Sequence, residues 1–277
     1  MTTNLKNIQK AIDDFKELIE TSITEAGAKG KEAIIRSSRP ILNIHEAVKI
    51  ELIEAGINED FIFPPLNSRT PELKLAGSRK QKNQDVCVVS NLDNVKEILQ
   101  EGLLQDVVDE YGEKYTERTI SINIRSQISS IQKNFDTLYE RTTSEAINLH
   151  DRCPKMVLGE VYMIAIPEYD DREVKNNRIV FKKPNQATVL KYIKSFQAIN
   201  NRKRTEKNFY KYEKVCLLIV DFNQAPAKLY NTSDELKKAG LIPEDSTIDI
   251  SELSWSKFVP DLLAIYKERF ASTDIAN

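Results

Sequence analysis

Histidine is scarce in this chain of 277 residues, which has only His45 and His150. An HExxH zinc motif, a Cys/His zinc cluster and a histidine-rich nuclease motif are therefore excluded. The patterns GxxxxGK[ST] and GxGxxG are absent as well, so we expect neither a phosphate-binding loop nor a nucleotide cofactor. GxSxG is also missing, which disfavours a serine hydrolase. If the chain is an enzyme, carboxylates and lysines must carry its chemistry.

Long apolar runs are absent too, since none approaches the roughly 20 residues that cross a bilayer. The opening segment MTTNLKNIQKAIDDFKELIE is amphipathic with charges of both signs, unlike a signal or transit peptide. Cys87, Cys153 and Cys216 lie far apart, and the first and last fall within apolar runs. Reduced core cysteines are typical of cytoplasmic proteins, so we expect a cytoplasmic protein without a membrane partner.

Neither sign of charge is in large excess, because 40 lysines and arginines oppose 42 acidic residues and leave a net charge of −2. The chain as a whole is therefore no basic nucleic-acid-binding protein. A basic cleft remains compatible with this balance, since local clustering sets the field. At forty per cent hydrophobic and thirty per cent charged residues, the composition is that of a globular protein.

Helical and strand patterns alternate along the chain. Apolar residues at helical spacing predict a helix over 3–26 that ends near Gly27–Gly30, and another over 43–55 that Asn43 caps. We therefore expect an N-terminal helical segment (1–42) before one α/β domain (43–277). Strands are predicted over 60–65, 72–76, 85–89, 156–166, 178–183 and 215–222, and further helices over 92–111, 125–150, 187–199, 233–239 and 258–270. The fold class is then α/β (α+β), with a mixed central sheet flanked by helices.

Two isolated carboxylates, Glu72 and Asp85, each begin a predicted strand, and four cations lie between them (Lys74, Arg79, Lys80 and Lys82). A hairpin of neighbouring strands would bring both acids into one site. Such acids can hold Mg²⁺, which polarises a phosphoryl oxygen and lowers the pKa of the attacking water. Lys74 shares a face with Glu72 by the period of two and could stabilise transition-state charge. We therefore predict Glu72, Asp85 and Lys74 as catalytic residues, with the two acids as metal ligands.

The predicted order over residues 43–166 is helix, strand, strand, strand, helix, strand. With this order, Pro71-Glu72 and Asp85-Val86-Cys87 resemble the Pro-Asp and (D/E)xK motifs of the PD-(D/E)xK nucleases, among them the type II restriction endonucleases. Cys87 takes the lysine position, so Lys74, Lys80 or Lys82 would supply the lysine. The stretches SINIRSQISSIQKNFDTLYERTTSEAINLH and PKMVLGEVYMI are similar in style to parts of such enzymes.

This resemblance implies a restriction-endonuclease-like core and Mg²⁺-dependent hydrolysis of double-stranded DNA at a short specific sequence. A homodimer is expected, because two antiparallel strands are cut at a symmetric site. The alternative is a non-catalytic DNA-binding or assembly protein on the same scaffold.

A second group of acids remains open as the catalytic one. Glu160 lies inside the apolar run 156–166, where an unpaired buried carboxylate would be unfavourable. It is a metal ligand, the partner of an arginine, or a residue on the wet face of its strand. Glu145 could join it, with Glu173-Val-Lys175 mimicking ExK. Glu46 or Glu51, in the helix before Glu72, could complete the site of Glu72 and Asp85.

Candidate DNA contacts lie in three places. Lys80 and Lys82 fall between the two predicted strands, and Arg125 and Gln127 stand at a predicted helix start, where they could bind phosphate or bases. The segment 200–214 interleaves cations with aromatic residues, which suits contact with a phosphate backbone. Its first cations are Arg202, Lys203 and Arg204. An ordinary solvated loop is the alternative for this segment.

Overall fold

Strands from most of the chain meet in one six-stranded sheet in the computed structural model, which describes residues 3–270 and residue 275. The strands are β1 (Ile62–Phe63), β2 (Lys74–Ala76), β3 (Gln81–Asn83), β4 (Val86–Val88), β5 (Glu97–Ile98), β6 (Val108–Asp109), β7 (Ile120–Gln127), β8 (Val157–Ala165), β9 (Lys214–Asp221) and β10 (Lys228–Tyr230). The helices are α1 (Thr3–Arg36), α2 (Arg39–Glu54), α3 (Glu113–Glu117), α4 (Phe135–His150), α5 (Asp171–Val174), α6 (Gln186–Ile199), α7 (Ser233–Lys238) and α8 (Trp255–Arg269).

The main sheet has the order β1-β4-β7-β8-β9-β10. β1, β4 and β7 pair antiparallel, β7, β8 and β9 pair parallel, and β10 returns antiparallel. The central strands β8 and β9 are buried along their whole length, which explains why their sequences are almost continuously apolar. The mixed central sheet flanked by helices is therefore confirmed.

Alternate residues of each central strand feed two apolar layers. On one face, Val157, Val161 and Met163 pack with α1, α2 and α8. On the other face, Leu158 and Ile164 pack with α4 and α6. The N-terminal helices thus belong to the same core as the sheet.

The end of α1 and the start of α2 both differ from the prediction. α1 kinks at Ala26 and Gly27 but continues to Arg36. Gly27 has φ +58°, and a Cβ there would lie 2.9 Å from the carbonyl oxygen of Val174. α2 begins at Arg39 with Ser38 as its N-cap. Asn43 is therefore no cap, and the expected domain boundary between residues 42 and 43 falls inside α2.

Two predicted helices are wrong in part or whole. Residues 92–111 form the small hairpin β5–β6, and Gly102 and Asp106 have φ angles of +72° and +66° that break a helix. Residues 120–127 are strand β7, so Arg125 and Gln127 lie on a strand and not at a helix start. The helix predicted over 125–150 begins only at Phe135.

The predicted pairing around Glu72 is also wrong. β2 pairs with β3 in a separate two-stranded ribbon, whereas β4, which follows Asp85, pairs with β1 and β7. The strand expected over 178–183 is reduced to one bridge between Tyr169 and Phe181.

The structure bears on two further predictions, which concern the cysteines and membrane-spanning helices. The three cysteines are free and buried, as expected. Within the described residues, none of the helices combines the length and the apolar character needed to cross a membrane.

Candidate active-site cleft

A cleft of about 400 Å³ lies between the N-terminal helices and the strand–helix unit β7–α4. α1 and α2 contribute one wall, which includes Ile35, Pro40 and Ile41. Asp85 and the last residues of β7 lie on the opposite side, and α4 contributes Arg141 and Glu145.

Sheet register brings three polar residues into one row, of which Asp85 lines the cleft and the other two are buried. Asn123 of β7 pairs with Glu160 of β8. Val86 of β4 pairs with Ile122, so the same antiparallel register places Asp85 next to Asn123. The Ile124 amide donates a hydrogen bond of 2.7 Å to Asp85 Oδ2, which fixes this carboxylate. We call Asp85, Asn123 and Glu160 the polar row.

Glu160 is fully buried, and Arg125 Nη1 donates a hydrogen bond to its Oε1. Its other oxygen, Oε2, and Asn123 Oδ1 have no hydrogen-bond partner among the described residues. Burial raises the pKa of Glu160 to about 7, and Glu145 and Asp85 add to this effect while Arg125 opposes it. The side chain is therefore poised between its neutral and charged forms near neutral pH.

Four cations converge on Glu145, which is 4% exposed. Lys82 Nζ lies 2.7 Å from Glu145 Oε1, and Lys80 and Arg141 approach the same oxygen to 3.9 and 4.0 Å. Arg125 binds Glu145 Oε2 and also donates to Thr142 Oγ1 at 3.2 Å. Burial raises the pKa of Glu145, but the cations outweigh it and hold the pKa below its usual value. We call Lys80, Lys82, Arg125 and Arg141 the cation cluster.

Several predicted site residues line this cleft: Asp85, Glu145, Lys82, Arg125 and Gln127. Glu160 and Lys80 do not line it, but Glu160 contacts Arg125, and Lys80 Nζ lies 3.9 Å from Glu145 Oε1. Glu160 is the partner of an arginine and is fully buried, which excludes the wet face of its strand, and its role as a metal ligand stays a prediction. Glu72 and Lys74 are exposed and do not line the cleft, and Asn83 Nδ2 donates a 2.8 Å hydrogen bond to Glu72.

Two predicted DNA contacts are occupied inside the protein. Gln127 is buried, and its amide donates to the carbonyls of Ser130 and Ile131 while Tyr162 and Tyr192 donate to its oxygen. It therefore has no atoms left for bases.

Arg202 is buried as well, with Nη1 3.0 Å from Glu213 Oε1. It donates to the carbonyls of Pro154, Thr205 and Lys207. The following residues Lys203 and Arg204 are exposed. Arg202 therefore leaves the set of candidate DNA contacts, and Lys203 and Arg204 remain in it.

Asn123, Thr142 and Arg141 were not predicted as site residues from the sequence. The available signal for Asn123 was the alternation of Ile120, Ile122 and Ile124 with polar residues, which is a half-buried strand pattern. Because this segment was predicted partly as a helix, the polar face of the strand was not recognised.

Oxygen ligands for a cation are present in the polar row. Within the described residues, no group of three or more His, Cys, Asp or Glu side chains is arranged to hold a metal. Mg²⁺ typically needs only one or two carboxylates beside waters and substrate phosphates. Asp85, with the unpartnered oxygens of Asn123 and Glu160, fits that requirement.

No family model, curated protein or solved structure matches this chain.

Proposed function

We propose that this protein is a type II-like restriction endonuclease that hydrolyses phosphodiester bonds in double-stranded DNA with Mg²⁺. The observation that carries the proposal is a cleft lined both by Asp85, at one end of the polar row, and by Lys82, Arg125 and Arg141 of the cation cluster. Phosphodiester hydrolysis needs both components, because acids hold the metal and cations stabilise the charge that develops on the phosphate.

Asp85, Asn123 and Glu160 would hold the Mg²⁺. When bound, the ion would supply polarisation of a phosphoryl oxygen and a lowered pKa of the attacking water. Lys82 is half-buried at the cleft and would bind the phosphate together with Arg141. Glu145 positions Lys82, since their charged atoms lie 2.7 Å apart.

The neighbouring strands support this assignment in a modified form. The family motif that the chain resembles has an acid on one strand and (D/E)xK on the next. Asp85 precedes β4, and the adjacent strand β7 carries Asn123-Ile124-Arg125, with an amide for the acid and a guanidinium for the lysine. Glu72 and Lys74 have no role in this proposal, because they lie outside the cleft.

We further propose that the protein is a cytoplasmic homodimer in which each cleft cuts one strand. Lys203 and Arg204 are exposed and would contact the phosphate backbone outside the cleft.

One observation favours the alternative, a non-catalytic DNA-binding or assembly protein. Arg125 contacts both Glu145 and Glu160, so these carboxylates are already partly neutralised without a metal. In that case the cation cluster would bind DNA and the polar row would serve the fold.

Incubating large, unmodified DNA with the protein separates the two functions. Mg²⁺ should give discrete fragments and EDTA should prevent them. Retarded but intact DNA in both conditions would support the alternative, and intact, unretarded DNA would contradict both.

A further inference from the structure

The two walls of the cleft differ in chemistry. The N-terminal wall is apolar, with Ile35, Pro40 and Ile41. Ile35 is 40% exposed, so a bound molecule can cover it without displacing the core. The opposite wall carries the cations Lys82, Arg125 and Arg141 and the carboxylates Asp85 and Glu145, so its cations are in excess. A molecule with an apolar face at one end and an anion at the other would satisfy both walls.

The size of the cleft limits what enters it. Its volume of about 400 Å³ lies near the lower end of the range of about 300–1,000 Å³ in which proteins hold single small molecules. Ser38 and Pro40, at the turn between α1 and α2, line the cleft together with Arg141. A paired duplex therefore has no room between these walls, whereas a single nucleotide does.

A nucleotide also has the required division of chemistry. Its base has flat faces that pack on apolar side chains, and its phosphate is an anion. Enzymes that take a base out of a duplex bind it between apolar or aromatic side chains, and the loss of stacking and pairing costs a few kcal/mol.

We propose that the cleft binds one nucleotide at a time, with the base against Ile35, Pro40 and Ile41 and the phosphate toward Lys82 and Arg141. A DNA strand therefore enters the cleft unpaired. The choice of a nucleic acid as ligand rests on the proposed function, but binding itself needs neither metal nor cleavage. The same chemistry is offered by a free nucleotide and by a nucleotide within a strand.

Binding in EDTA tests this proposal. Fluorescence anisotropy would compare a labelled single strand, the same strand fully paired, and a duplex with a short unpaired bubble. Calorimetry would compare deoxyadenosine monophosphate, deoxyadenosine and inorganic phosphate. We expect the single strand and the bubble to bind at least about tenfold more tightly than the full duplex, because the duplex must first lose stacking and pairing.

Two substitutions on opposite walls assign the two ends of the ligand. Ile35→Ser should weaken binding of the single strand about fivefold through lost apolar contact, whereas Val95→Ser, at a residue 71% exposed on the remote β5 side, should change nothing. Arg141→Gln should weaken the monophosphate and leave deoxyadenosine unchanged. Both targets are exposed side chains, so the variants should fold.

Tighter binding of the full duplex, or equal effects of Ile35→Ser and Val95→Ser, would overturn the proposal. Monophosphate binding as tight as that of the strand would overturn strand entry and make a free nucleotide the ligand. If the protein cuts DNA with Mg²⁺ but shows no preference for unpaired strands, this inference fails and the proposed function stands. If the protein prefers unpaired strands but never cuts DNA, the proposed function fails and this inference stands.

Discussion

Two buried carboxylates in this molecule have opposite surroundings. Glu213 accepts hydrogen bonds at both oxygens, from Arg202 and Arg269 at 3.0 and 2.9 Å and from His150 and the Leu158 amide at 3.1 and 2.8 Å. Glu160 has a single arginine partner and one oxygen without any partner among the described residues. Burial raises the pKa of both groups. The partners of Glu213 prevail and lower its pKa to about 2, whereas the pKa of Glu160 rises to about 7.

The difference distinguishes a charge cluster with complete hydrogen bonding from a candidate functional one. A buried charge is tolerated when every lone pair is satisfied, as at Glu213. A buried acid near a cleft is a candidate functional residue when its pKa is raised and one of its oxygens has no hydrogen-bond partner. The Glu213 cluster therefore supports the fold, and the polar row is available for a ligand.

The largest effect is expected on stability, at the Glu213 cluster with its complete set of hydrogen bonds. Glu213→Gln should lower the free energy of unfolding by about 3–5 kcal/mol, because it leaves the buried Arg202 and the partly buried Arg269 without their counter-charge. Urea denaturation measures this loss, with the exposed Glu244→Gln as the control. A loss below about 1 kcal/mol would mean that the cluster is not essential to the fold.

The two acids should also give opposite pH signatures. The folded-state pKa of Glu160 is raised, so its contribution to stability is complete below pH 4.5 and disappears as the pH rises through 7. This loss is on the order of 3 kcal/mol. The folded-state pKa of Glu213 is lowered, so its contribution is present above pH 4.5 and disappears as the pH falls through 2. Burial raises the pKa of Glu51 to about 7 as well, so denaturation curves between pH 4.5 and 8 should show a larger decline in the wild type than in Glu160→Gln. An equal decline in both would assign it to another group.

Asp85 should matter for catalysis and not for stability. Asp85→Asn should lower the rate of Mg²⁺-dependent cleavage by at least about a hundredfold while DNA binding persists, because a metal ligand acts mainly in the transition state. Glu72→Gln is the matched control, since this exposed acid lies outside the cleft. Loss of cleavage in Glu72→Gln alone would restore the site predicted from the hairpin motif.

The smallest effect is expected at the exposed loop cations. Replacing Lys203 and Arg204 with alanine should weaken binding to specific and random DNA alike and reduce the salt slope by roughly 0.9 per lost phosphate contact. Anisotropy titrations over a range of salt concentrations measure both quantities. Lost discrimination with an unchanged slope would instead mean that these residues contact bases.

Elements buried on both faces were predictable, because strands such as β8 and β9 are continuous apolar runs. Strand β7 was not predictable in this way, because the polar residues Asn123, Arg125 and Gln127 alternate with its isoleucines. These polar residues belong to the candidate site or hold the segment that follows the strand. The apolar residues of the β5–β6 hairpin have the spacing of a helix. The positive φ angles of Gly102 and Asp106, which break a helix, are not evident from the sequence.

The site was predictable to the extent that its acids stand out against apolar strands, as Asp85 and Glu160 do. Their association with Asn123 depends on register across three strands, which no local pattern gives. Arg202, Lys203 and Arg204 are equivalent in sequence, and only the fold buries the first and exposes the others.

The buried Arg202 has a further consequence for the basic loop that follows it. Its guanidinium donates to the carbonyls of Pro154, Thr205 and Lys207 and lies 5.4 Å from the ring centre of Phe209. These contacts hold the loop backbone in one shape before any ligand arrives. Ordering a flexible segment on binding reduces affinity, and a preorganised segment avoids that loss. Arg202 can therefore strengthen the binding of a polyanion that it never touches.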